Sequence, residues 1–302
     1  MLILKVHYPS DPLQPGPVYF LTPRKCAIFG VSCESLPRQV NQYTVHEIVN
    51  ICMLQINYLI HEAVNVGKGA NAIISMLHHF FSTYGLGETE VHLHADNCSG
   101  QNKNRYMMHY LMWRILTKQH QEITISFLPV GHTKFFPDAG LGMLKRQFRR
   151  TKVGCLHDIA EVVRKSATIN HCQLVGNQRG EVLVPTYDWA EFFAEHTIKS
   201  ALKGIKKISH FRFSSSSPGM VFMCNDCEAG TSDEKKIKLL RDMSWQPQPS
   251  NLPSLVPPDG LSLQRQWYLY DKIREFCPLE VQDLVCPMPR KCLSSSSDEE
   301  DE

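Results

Sequence analysis

Two carboxylates and one imidazole carry the strongest chemical signal in this chain. Residues 91–104 read Val-His-Leu-His-Ala-Asp-Asn-Cys-Ser-Gly-Gln-Asn-Lys-Asn. The alternation at their start predicts a strand that delivers Asp96 to a loop, where Asn97, Ser99, Gln101, Asn102, Lys103 and Asn104 can all hydrogen bond. Asp138 opens a later predicted helix, with His132 in the segment before it. Aspartates brought to one sheet edge can hold a divalent cation, Mg²⁺ or Mn²⁺ by the preference of hard oxygen ligands, and such an ion activates water or a 3′-hydroxyl in phosphodiester chemistry. Asp96 and Asp138 are the candidate metal ligands and catalytic acids, and His132 is the candidate proton carrier. The competing reading is that the Asn and Ser residues cap a helix and fill a turn, and that His132 is a structural hydrogen-bonding group.

A polyanion partner is suggested by the residues around these acids. Lys145, Arg146, Arg149, Arg150 and Lys152 form a dense basic run on and after the helix that Asp138 opens. With Asn97, Gln101, Asn102 and Lys103 of the loop, they suit the backbone of a nucleic acid, DNA first. A solvated helix face is the plainer account of the same run.

The elements that must position these groups follow from periodicity. A strand is expected near 3–8, a Pro/Gly-rich connection after it, and short strands near 17–22 and 26–31; residues 43–64 fit strand or helix. Ile73, Met76, Leu77, Phe80 and Tyr84 line one face of a helix that Gly85 stops. The strand into Asp96 follows, then a helix with a stripe of Met108, Leu111, Met112, Ile115 and Leu116, a strand over 123–130, and the helix after Asp138. The order β-β-β-α-β-α-β-α over 1–150 is that of a ribonuclease H-like α/β fold, a mixed sheet flanked by helices. The expected organisation is therefore a core over 1–155, an appended α+β segment over 156–242, and a linker over 243–259 bearing five prolines. A docking helix and extension over 260–290 and a disordered Ser/acidic tail over 291–302 complete it.

Composition narrows the class. The chain has 302 residues, 43% of them hydrophobic, enough for a substantial core. Formal charge is +2, yet residues 298–302 are all acidic, so the rest of the chain is basic. Eleven cysteines without framework spacing fit reduced thiols, which points to the nucleus or cytoplasm, the nucleus favoured. No apolar run is long enough for a membrane helix, so no membrane partner is expected, and nothing in the sequence sets an oligomeric state. Gly67-Lys68-Gly69 lacks the rest of a phosphate-binding loop, and the single Cys224-x-x-Cys227 has no well-spaced second pair for zinc.

The run Asp96-Asn97-Cys98-Ser99-Gly100-Gln101-Asn102-Lys103-Asn104, followed by Gly131-His132-Thr133 and Asp138, resembles the signature of an uncharacterised family of transposon-derived proteins with a ribonuclease H-like, DDE-transposase-type domain. Softer matches are Tyr187-Asp188-Trp189 and Gln266-Trp267-Tyr268-Leu269-Tyr270. The resemblance implies ancestral metal-dependent cleavage or strand transfer on DNA. It also implies a first Asp on the opening strand, and Met1–Tyr8 holds no acid, so the first strand is expected to be truncated and the acidic triad incomplete. Residues 42–55 read as an interpolation that would crowd the third strand. Two activities stand against each other: an impaired nuclease or transposase, and an inactive domesticated remnant that binds nucleic acid or protein.

Overall fold

A computed structural model describes residues 2–13, 16–33, 54–67, 69–128, 136–225 and 234–290. In chain order the elements begin with β1 (Leu2–Tyr8), a single-turn α1 (Gly16–Tyr19), β2 (Arg24–Cys33), β3 (Leu54–His61), α2 (Ala70–Thr83), β4 (Glu90–Ala95), α3 (Arg105–Leu116) and β5 (Glu122–Phe127). They continue through α4 (Phe136–Phe148), α5 (Leu156–Ser166), β6 (Asn170–Leu174), α6 (Trp189–Ala194), β7 (His210–Ser214), β8 (Met220–Cys224), β9 (Lys235–Lys238), α7 (Leu263–Tyr268) and α8 (Gln282–Val285).

The fold is mixed α/β with two mixed sheets. One has the order β1-β2-β3-β6, antiparallel except for the parallel pair β3/β6; the other has the order β4-β5-β7-β8-β9, antiparallel except for β4/β5. The core shared by the two sheets explains the division of the single expected sheet. Phe29, Val31, Ile56 and Tyr58 on the four-stranded sheet and Ile123, Ile125, Phe127, Phe211 and Phe213 on the five-stranded one pack into one apolar cluster with α2 and α3. Helix α3 is buried from Met107 through Ile115 without a break, so its expected stripe is one part of a helix covered all round.

The other face of the four-stranded sheet carries Val6, Tyr8, Cys26, Ile28 and Leu59, covered by α4, α5 and the C-terminal turns through Leu269 and Ile273. Three amides are buried on that face. Gln55 Nε2 donates to Asn57 Oδ1 at 2.9 Å, Asn57 Nδ2 to Asn170 Oδ1 at 3.3 Å, and Asn170 Nδ2 to the Gly140 carbonyl of α4 at 3.2 Å. Helix α4 can approach so closely because position 140 is glycine: a Cβ there would lie 2.2 Å from Gln55 Oε1.

Several expectations take a different form. Residues 156–242 supply β6 to one sheet and β7–β9 to the other, so this segment completes both sheets instead of standing beside them. Strand β3 pairs along its whole length with β2 and is not crowded out. The first short strand near 17–22 is the helical turn α1, and the strand expected over 26–31 is the longer β2. Tyr187-Asp188-Trp189 is an anchor: Asp188 caps α6 and accepts from Asn71 Nδ2 at 2.9 Å, and Trp189 Nε1 donates to Ser75 Oγ at 3.1 Å. Helix α7 is held by Arg265, bound to Glu62 and to the Thr22 and Pro23 carbonyls. The expected tail, the segment 42–53 and Lys68 lie outside the described residues.

Candidate functional site

Strands β4 and β5 run parallel and end together, Ala95 opposite Phe127, and Asp96 leaves the sheet at that point. Its Oδ1 accepts from Cys98 N at 3.1 Å and from Asn102 Nδ2 at 2.7 Å, and the Cys98 carbonyl gathers the amides of Gln101, Asn102 and Lys103 at 2.8–3.1 Å. Asn97 ties the loop to the β5 side, its Nδ2 donating to the Leu128 carbonyl and its Oδ1 accepting from Lys103 Nζ at 2.7 Å. Asn104 caps α3, its Oδ1 accepting from Tyr106 N at 3.0 Å and Met107 N at 3.1 Å. The motif is first of all a self-bonded loop.

Burial divides the expected contact residues. Asn102 is 1% exposed and Lys103 4%, with Lys103 Nζ lying 5.1 Å from the Phe127 ring centroid and its pKa pushed down by burial. These two are corrected from ligand contacts to loop supports, because an amide or ammonium turned inward cannot meet a phosphate backbone. Asn97 and Gln101 are half-buried; Cys98, Ser99 and Gly100 form the exposed tip.

What the loop offers chemically is oxygen. Asp96 is half-buried, makes no ion pair among the described residues, and engages only one carboxylate oxygen in hydrogen bonds there. Asn102 Oδ1 is buried without a partner among the described residues. The open carboxylate oxygen of Asp96 is a hard donor of the kind that Mg²⁺ or Mn²⁺ takes, whereas Asn102 Oδ1 is turned inward with the rest of its side chain. Among the described residues no group of three His, Cys, Asp or Glu side chains is placed to hold a metal.

Asp138 stands half-buried in the first turn of α4, the helix that packs on the four-stranded sheet, whereas Asp96 leaves the five-stranded one. His132 lies outside the described residues. Lys145, Arg146, Arg149 and Arg150 are all exposed, and none forms an ion pair among the described residues.

A second basic group lies outside the residues that the sequence motifs mark. Lys199, Lys203, Lys206 and Lys207 are exposed and precede β7. Phe127 N donates to the Ser209 carbonyl at 2.8 Å, so this segment arrives at the end of the sheet where Asp96 sits. The spacing of the four lysines was the available signal; the pairing that brings them there is long-range.

No helix among the described residues is long and apolar enough to cross a membrane. The sequence profile of a family described as a domain of unknown function, DUF7869, matches residues 42–228, more than half of the chain. No curated protein and no solved structure matches.

Proposed function

The chain belongs to the DUF7869 family, and we propose that it is a nucleic-acid-binding protein of transposase descent, ribonuclease H-like in ancestry, whose metal-dependent cleavage or strand transfer on DNA is impaired. The observation that carries this reading is the run Lys145, Arg146, Arg149 and Arg150, exposed and without ion pairs among the described residues. Cations left unpaired along the end of one helix bind a phosphodiester backbone by releasing its counterions. Lys203, Lys206 and Lys207 offer a second contact near Asp96. Asp96 would hold Mg²⁺ or Mn²⁺ through its open oxygen, an ion that when bound supplies a Lewis acid and an activated water, while Asp138 starts from the helix of the other sheet, a placement that supports an incomplete ligand set. Asp96 commits one oxygen to its loop, where it keeps the Cys98 amide and Asn102 in place, and this supports weakened metal binding. The nucleus is the compartment that fits this partner.

Binding to a DNA duplex tests the reading. Replacing Lys145, Arg146, Arg149 and Arg150 together by Gln weakens binding and flattens the slope of log affinity against log salt by roughly three to four; an unchanged slope overturns it. Cleavage separates the impaired enzyme from an inactive remnant that only binds. Slow Mg²⁺-dependent nicking that disappears in Asp96→Ala supports the enzyme, and its absence from the unaltered chain leaves the binding module.

A further inference from the structure

A cavity of about 350 Å³, none of whose lining residues belongs to either basic group, opens between the start of β2 and the C-terminal turns, lined among others by Arg24, Arg179, Asp259, Gln266 and Cys286. Its volume is at the small end for a metabolite site. Arg24 forms part of the wall and is only 4% exposed. Its Nη1 donates to the Val285 carbonyl at 2.6 Å, but its Nε is buried with no partner, and it makes no ion pair among the described residues.

The neighbouring arginines show what is missing. Arg265 is held by both Glu62 oxygens at 2.8 and 3.1 Å, and Arg274 meets Asp283 at 2.6 Å. The most buried guanidinium of the three is the one without a carboxylate. Two ionisable neighbours, His61 and Tyr8, do not supply an anion either. Burial, with Arg24 as the next cause, pushes His61 down to about 4, and burial pushes Tyr8 well above its ordinary range, so both are neutral near pH 7. A buried guanidinium that lacks an opposite charge is costly, and the planar fork of Arg suits carboxylate and phosphate.

We propose that this cavity binds a small oxyanion, a phosphate ester or carboxylate whose anionic head meets Arg24 and Arg179 and whose hydroxyl or amino donors face Asp259. Arg179 is exposed at the site and adds a second positive charge. Asp259, also exposed, accepts from hydroxyl or amino donors. Gly180 and Gly260, both at positive φ (93° and 75°), form part of the same wall, where a side chain would strain the backbone. The site stands independently of the nucleic-acid reading.

Besides the Asp259 carboxylate, which forms no ion pair among the described residues, Cys286 is a wall residue able to supply negative charge. Its Sγ lies 3.8 Å from that of Cys277, and the hydrogen bond with Cys277, ahead of the nearby arginines, holds its thiol below the usual range. A thiolate serving as the internal counter-ion would make an external anion unnecessary, so the test includes it.

Calorimetric titration of the full chain with inorganic phosphate and with glycerol 3-phosphate, against chloride at equal ionic strength, reads the site directly. Saturable binding in the millimolar range is expected, tighter for the ester. Arg24→Gln loses roughly tenfold or more in affinity, and Arg179→Gln, an exposed change that leaves the fold intact, loses severalfold. The fourfold α4 variant binds as the unaltered chain does, and saturable binding that appears only in Cys286→Ser would show the thiolate to be the internal counter-ion and overturn the proposal. Absence of saturable binding in the unaltered chain overturns the proposal, as does binding that survives both Arg24→Gln and Arg179→Gln. Loss of binding in the α4 variant alone would assign the phosphate to the basic helix and overturn it too. If Arg24→Gln does not fold, the titrations of the unaltered chain and Arg179→Gln decide.

Discussion

The two sheets of this molecule are built under opposite constraints. The four-stranded sheet is covered on both faces, so β3 is buried along most of its length and its polar residues must bond to one another, as Gln55, Asn57 and Asn170 do. The five-stranded sheet buries one face. Its other face carries His92 and His94, both exposed, with Thr124, Ser126, Arg212 and Phe222 partly open beside them. A polar residue in the first sheet is a structural commitment; in the second it costs little and is free to vary. The Asp96 loop grows from the tolerant sheet.

Acid is expected to break this contrast most strongly. His78, His109 and His120 lie in the helical layer between the sheets, and burial pushes each from 6.5 down to about 4, helped by Arg114 for His78 and His120 and by Arg105 for His109. Between those values the unfolded chain binds protons that the folded chain refuses. Stability is therefore complete above 6.5 and is lost as pH falls toward 4, by on the order of 5 kcal/mol, which lowers Tm by about 10 °C or more. A Tm that stays level across that window removes the buried histidines from the account.

A single substitution sharpens the comparison. Asn57→Leu leaves Gln55 Nε2 and Asn170 Oδ1 without their partner inside the covered sheet and should cost about 2–4 kcal/mol by urea unfolding. On the open sheet His92→Ala removes a 2.6 Å bond to Thr124 Oγ1 at an exposed position and should stay within about 0.5 kcal/mol. Equal costs would erase the distinction between the sheets.

The same contrast explains what could be read in advance. Alternation in β4 and β5 was legible because one face of that sheet is wet, and the α2 stripe because that helix keeps a partly open side. The β3 region was ambiguous because burial on both faces removes the period-two signal, and Gln55 and Asn57 look like surface residues until their partner Asn170 is brought beside them. The division into two sheets was illegible for a related reason: the pairings β3/β6 and β5/β7 join residues more than eighty positions apart. Asp96 at a strand end was readable locally. That Asn102 and Lys103 turn inward was not, since polar side chains in a loop give no sign of which way they face.

Helix α3 has no outer surface, and that sets how the molecule comes apart. With α3 packed on β5 and β7 and against α2, within one apolar cluster that includes residues of the four-stranded sheet, neither sheet can peel away without stripping apolar area from that cluster. The two form one cooperative unit. Exchange of the α3 amides with solvent then waits for the whole body to open, and slow exchange at Leu111 or Met112 reports the stability of both sheets at once.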